Sequence, residues 1–253
     1  MPEVVTLDVT DKVAWLTLNR PEKLNALDRA TVRELVALLD ELGRRDDVRV
    51  VVTRGAGRAY CAGSDLLDLA PLSPAEAAAA ELEHAAAGAR LDALPQPTIA
   101  MLHGFVLGGG LGLALYHDFR IASETAILGM PEVELGWTPP WALGRLLDVV
   151  GPTHARWLAL AGTRLTGAEA RAIGLVNQVG TEEQLADTVG ALARRLAGLS
   201  PTALRETKAL INRMSPLRQS AWDVAAATAF EACYATPEAR ASVAAFLARK
   251  RKG

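Results

Sequence analysis

The spacing of apolar and polar positions changes period several times along this chain, and each change predicts an element. Residues 3–9 and 12–18 read as two strands, with Thr10 and Asp11 as the hairpin turn between them. Apolar positions Val32, Leu35, Val36, Leu38, Leu39 and Leu42 recur at helical spacing between an Asp28 N-cap and Gly43. Residues 48–53 form a short apolar run, as do 98–102, and both predict buried strands. Residues 55–63 between them are glycine-punctuated and read as a loop. Ser73 opens an Ala-rich helix that runs to Leu94. Leu111 to Tyr116 predicts a helix, and Phe119 to Ala122 a further strand. Strands alternating with helices argue for a largely parallel sheet with crossover connections.

Beyond Gly151 the period is helical almost throughout, over 152–161, 167–172, 181–199, 201–212 and 217–249, with breaks near Pro216 and Pro237. The pattern predicts an α/β core of about 150 residues with a helical C-terminal part. No repeat of fixed period appears.

Composition narrows the function classes more than the fold. Half of the 253 residues are apolar and the net charge is −2, so no general electrostatic case exists for nucleic acid. Arg249 to Lys252 is basic, and reads by default as a solvated chain end. The two cysteines, Cys61 and Cys233, have no CxxC or zinc spacing, and the four histidines show no metal-ligand spacing. No apolar run reaches the roughly 20 residues needed to span a bilayer, and the N-terminus lacks a signal-peptide pattern. A reducing cytoplasm is the expected location, without membrane or metal.

Three segments carry candidate chemistry. Cys61 to Asp65 follows a strand, and Gly63 permits a turn that frees the Ser64 N–H. Gly104 to Gly112 opens a helix, whose N-terminus can stabilise a developing oxyanion. Met130 to Gly136 offers Glu132 and Glu134 as general acid or base if burial raises a carboxyl pKa. Each segment also fits ordinary turns, close packing or surface loops. The glycine run does not complete GxGxxG, and Ser64 does not sit in GxSxG.

Taken together, these segments resemble the crotonase family, also called the enoyl-CoA hydratase/isomerase family. The resemblance runs from Leu18 to Leu27, through Arg58 to Leu66, Gly108 to Gly110, Asp118 to Ser123 and Pro131 to Gly136. It continues through Arg145, Val150 and Gly151, Leu165 to Ala170, Gly174 to Asn177, Lys208, and Ala245 with Phe246. The resemblance implies an α/β spiral of ββα turns over residues 1–195, with a C-terminal helical trimerisation part over 196–253. It implies a CoA thioester substrate, no separate cofactor, and a homotrimer or dimer of trimers.

By position, the resemblance assigns the thioester oxygen to the backbone N–H groups of Ser64 and Gly109, and acid–base catalysis to Glu132. Lys23, Ala26, Ala62, Asp65, Leu66, Gly108, Pro131 and Trp141 are the expected substrate-binding residues. Hydratases of the family use two glutamates, and the position of the first is Gly112 here. Where hydratases resemble Pro-Gly-Ala-Gly-Gly, this chain has Pro139 to Leu143, with Pro140 and Trp141 in the middle. Pro140 has no N–H to hold a water. The expected reaction is therefore double-bond isomerisation of an enoyl-CoA through Glu132, with single-glutamate hydration as the alternative. Decarboxylation, thioester hydrolysis and a non-enzymatic RNA-binding role rank lower. A serine hydrolase at Ser64 would need a His and an acid nearby. Tyr116 is expected to pack and Asp118 to hold a turn.

Overall fold

The computed structural model describes residues 3–215 and 220–250. The chain opens with an antiparallel hairpin, β1 (Val5–Thr10) and β2 (Val13–Leu18). The turn is Asp11 and Lys12, one residue later than expected. Both take positive φ, 51° and 66°, as a two-residue hairpin turn requires.

Helix α1 (Arg29–Leu42) follows, with the Asp28 carboxylate accepting from the Thr31 N–H at 2.8 Å. Next come β3 (Val50–Gly55), β4 (Ala59–Cys61), the single turn α2 (Leu66–Leu69) and α3 (Pro74–Ala93). Ser73 and Glu76 cap α3 reciprocally. The middle of the chain is β5 (Thr98–Leu102), β6 (Phe105–Leu107), α4 (Gly109–Leu115), β7 (Phe119–Ser123) and β8 (Ile127–Gly129). Then follow α5 (Leu143–Leu160), β9 (Arg164–Thr166), α6 (Gly167–Ala172), β10 (Gln178–Gly180) and α7 (Glu182–Ala197). The C-terminal part holds α8 (Pro201–Met214), α9 (Ser220–Tyr234) and α10 (Pro237–Lys250).

Two sheets result. The larger runs β1-β2-β3-β5-β7-β10 and is parallel from β2 onward. The smaller runs β4-β6-β8-β9, with its first three strands parallel. The period of two along β3 explains how the larger sheet is covered. Val50 and Val52 face α7, where they pack with Leu185, Val189 and Ala193. Val51 points the other way, into the main core with Leu35, Leu39 and Leu91.

Several boundaries differ from expectation. β3 lies two residues later than 48–53, and α4 starts at Gly109 rather than Leu111. The segment 55–63 contains β4, and β6, β8, β9 and β10 are strands of three residues each, too short for a period to show. α5 begins at Leu143, not 152, and its helical geometry breaks at Gly151, φ 68°, before Pro152. Pro237 is the first residue of α10. The break expected near Pro216 lies outside the described residues. No described helix is long and apolar enough to cross a membrane.

Candidate active site

The smaller sheet positions the site. Its parallel strands β4, β6 and β8 end side by side, and each hands its chain to one candidate segment. β4 leads to Gly63 and Ser64, β6 to Gly108 and Gly109, and β8 to Pro131 and Glu132. Residues far apart in sequence therefore meet at the carboxyl ends of neighbouring strands, a usual place for ligand sites in α/β sheets.

Glycine is required at two of these strand ends. Gly63 has φ 104°, and a Cβ there would lie 3.0 Å from the Leu107 carbonyl oxygen. Gly108 has φ 53°, and a Cβ there would lie 3.0 Å from Glu132 Oε1. The close approach of the two turns brings Ser64 beside Gly109. No backbone carbonyl among the described residues accepts from the Ser64 N–H. Gly109 is the first residue of α4, so its N–H points out of the helix end. The two donors therefore stand together.

They border a cavity of about 840 Å³. Of the residues expected at the site, Lys23, Ala26, Ala62, Ser64, Leu66, Gly108, Gly109, Pro131 and Glu132 line it. Asp65 and Trp141 do not, contrary to expectation. The Asp65 carboxylate is turned to the Arg20 guanidinium at 3.0 Å and caps α2 by accepting from the Leu67 N–H. Trp141 is buried behind the wall, its ring against Gly112. A Cβ on Gly112 would lie 3.0 Å from both Cη2 and Cζ3 of the indole. Pro140, its neighbour, does line the cavity. The C-terminal part contributes a wall through Ser242, Ala245, Phe246 and Arg249 of α10. Arg249 also belongs to the basic tail, of which Arg251 and Lys252 lie outside the described residues. Half-buried Lys23 and exposed Arg58 and Arg249 outnumber Glu22 at the rim, where Arg164 is paired with Glu134, and leave it cationic.

Glu132 and Glu134 separate as burial demands. Glu134 is half-exposed and ion-paired with Arg164 at 2.6 Å, which holds its carboxyl below the usual range. Glu132 is buried, and its Oε2 has no hydrogen-bond partner among the described residues. Burial first, with the nearby charge of Glu81 adding to it, pushes the Glu132 carboxyl up to about 8. The folded state thus holds a proton that the unfolded chain releases near pH 4.5. This contribution to stability is complete below pH 4.5 and is lost as pH rises through about 8. A thermal scan between about pH 5 and pH 9 should show Tm falling less in Glu132→Gln than in the unaltered chain. Parallel curves would contradict a raised pKa.

Two polar residues of the site went unread in the sequence, Glu81 and His84. They lie on a stripe of α3, Ala77, Glu81, His84, Gly88 and Leu91, at alternating spacings of four and three, and all five are buried. Two polar residues within an otherwise apolar stripe were the available signal. Glu81 Oε2 accepts from the Trp141 indole Nε1 at 2.9 Å and lies 3.3 Å from His84 Nδ1. Ser64 Oγ is also 3.3 Å from His84 Nδ1. The serine, histidine and acid that a hydrolase needs are therefore neighbours. Yet Ser64 and Glu81 approach the same ring nitrogen, whereas a proton relay through imidazole uses both.

Tyr116 and Asp118 are engaged away from the cavity. Tyr116 donates to Asp223 at 2.6 Å and packs under Arg145 and against Trp141. Its ring also lies where a Cβ on Gly88 would be, 2.5 Å from the ring carbon Cδ2. Asp118 accepts from the Thr98 N–H at 2.8 Å and from Lys208 at 2.8 Å, fixing the turn into β7.

Comparison with known proteins gives the family. A family model described as enoyl-CoA hydratase/isomerase matches residues 8–252. The chain is 33% identical over 254 residues to a short-chain-enoyl-CoA hydratase of Clostridium acetobutylicum, covering 98% of this chain and 95% of that one. It is 38% identical over 205 residues to a putative enoyl-CoA hydratase/isomerase, YngF, of Bacillus subtilis, covering 80% and 79%. Among solved structures, an enoyl-CoA hydratase from Mycobacterium avium subsp. paratuberculosis superposes with a TM-score of 0.87 at 25% identity, covering 95% of this chain and 98% of that one. One from Bacillus anthracis gives 0.81 at 31% identity, covering 97% and 96%.

Proposed function

Since the chain belongs to the enoyl-CoA hydratase/isomerase family, we propose that it isomerises the double bond of an enoyl-CoA, with Glu132 as its acid–base group. The cationic rim suits the phosphates of coenzyme A, and the Ser64 and Gly109 N–H groups suit the thioester oxygen. In this reading they stabilise the dienolate formed when a proton leaves the acyl chain. Glu132 then delivers a proton at the other end of the conjugated system.

The observation that carries isomerisation over hydration is the indole at Gly112. Trp141 fills the space in which a side chain at position 112 would project, and Pro140 beside it has no N–H. A water held between Glu132 and a carboxylate at 112 has neither the carboxylate nor the room. Proton transfer between two carbons needs no such water. The exposed apolar residues Leu210, Ile211 and Met214 of α8 fit the subunit contacts of a trimer.

Hydration is the second reading, because similar proteins of Clostridium acetobutylicum and Bacillus anthracis are named hydratases. Incubation with 3-enoyl-CoA and with 2-enoyl-CoA, followed by product mass, separates the two. Isomerisation of 3-enoyl-CoA conserves mass. Efficient gain of one water by 2-enoyl-CoA, with 3-enoyl-CoA untouched, would sink the isomerase reading.

A further inference from the structure

We propose that Glu81 is a second catalytic carboxylate, working with Glu132 on the same bound acyl group and supplied by α3 instead of α4. The proposal rests on the enolate chemistry assigned above, and it says which group does which half of the proton transfer. The position on α4 that would carry a carboxylate is Gly112, and the Trp141 indole covers it. The same indole turns its Nε1–H to Glu81 Oε2 at 2.9 Å. One residue thus closes one place for a carboxylate and holds another carboxylate in the cavity wall.

Glu81 is well placed to act. It lines the cavity together with Ser64, Gly109 and Glu132. Trp141 and Ser64 both border Gly109, where a Cβ would lie 3.3 Å from Trp141 Cζ2 and 3.3 Å from Ser64 Oγ. The carboxylate is therefore one side chain away from the oxyanion donors. Its position is also fixed. The ring of Tyr116, the residue that caps the end of α4, packs directly on Gly88 of α3, so the two helices cannot slide past each other without losing that fit.

The surroundings set the two carboxyl groups apart. Those facing Glu81 are His84 from its own helix, Ser64 from the β4 turn, Trp141, Glu132 from the β8 turn and Tyr234 from α9. Burial works to raise the Glu81 carboxyl. His84, Ser64 and Trp141 outweigh it and hold the group below its ordinary value. Burial raises Glu132 instead. Near neutral pH the resting pair is a Glu81 carboxylate and a Glu132 carboxylic acid, which matches one base with one acid.

The step balances. The Glu81 carboxylate takes a proton from the α-carbon of a 3-enoyl-CoA. The pair from that C–H bond moves toward the carbonyl, and the dienolate oxygen is held by Ser64 and Gly109. The charge then returns through the conjugated chain, and the γ-carbon takes the Glu132 proton. One C–H bond breaks and one forms. Glu81 ends protonated and Glu132 ionised, and one proton exchanged with solvent restores the start.

Two measurements test this. Glu81→Gln keeps an oxygen to accept from Trp141, so a purely anchoring role predicts unchanged turnover. A catalytic role predicts kcat lower by roughly 10²–10³-fold, with KM within about threefold, in whichever reaction the enzyme performs. The unaltered protein supplies the second measurement, with substrate deuterated at the α-carbon. Two carboxylates predict no deuterium at the γ-carbon of the product, whereas one carboxylate serving both carbons would transfer part of it. Unchanged kcat in Glu81→Gln, or deuterium carried to the γ-carbon, would overturn the proposal. A product heavier by one water would overturn isomerisation and leave the kcat ratio of Glu81→Gln to decide on Glu81.

Discussion

Glu132→Gln is expected to lower kcat by roughly 10²–10⁴-fold while leaving KM within about threefold, the range over which a positioned acid–base group contributes. Gln has nearly the same shape, so the close packing beside Gly108 and the turn that carries Glu132 are preserved. What disappears is the exchangeable proton. The group touches the cavity but no ion pair, which is why binding should survive its loss. Steady-state kinetics with 3-enoyl-CoA, beside a titration of the variant with a saturated acyl-CoA, provides the check. Turnover unchanged within threefold would mean that another group moves the proton. A parallel loss of affinity would mean that Glu132 binds and does not react.

Gly109→Pro should lower kcat by roughly 10²–10³-fold, the usual effect of removing one oxyanion donor. Gly109 is the first residue of α4, and proline is well tolerated at that helix position. The substitution therefore removes the N–H with little cost to the helix. Its Cβ is another matter, since contacts of 3.3 Å to Ser64 Oγ and Trp141 Cζ2 leave little slack. Gly109→Ala carries the same Cβ and keeps the N–H. A large loss in the proline variant beside a small one in the alanine variant isolates the donor. Equal losses would place the effect in packing and remove Gly109 from the hole.

The parts of this fold visible in the sequence are those longer than one period of their own geometry. α1, α3 and α7 each run over several turns, and their caps at Asp28, Ser73 and Thr181 stand where the periodicity starts. The smaller sheet is the opposite case. Its four strands have three residues each, one and a half repeats of a strand, and glycine-rich neighbours hide them further. The site depends on that smaller sheet. Its meeting of Ser64, Gly109 and Glu132 was accessible only through the family resemblance, since no local pattern joins residues so far apart. Trp141 and Glu81 are separated by 60 positions, and nothing in either segment announces their hydrogen bond. Trp141 was expected to bind substrate, and only its neighbour Pro140 borders the cavity. Trp141 lies behind the wall because the glycine at 112 leaves an apolar hollow of the right size for an indole.

That hollow also constrains how this sequence can change. A glutamate introduced at 112 meets the indole with its first carbon, and an alanine at 141 leaves a void costing about 3–5 kcal/mol and strips Glu81 of a donor. Each change alone costs packing, and only together do they make room for a carboxylate on α4. Positions 112 and 141 are therefore coupled, and the double substitution should cost less stability than the two single ones added together.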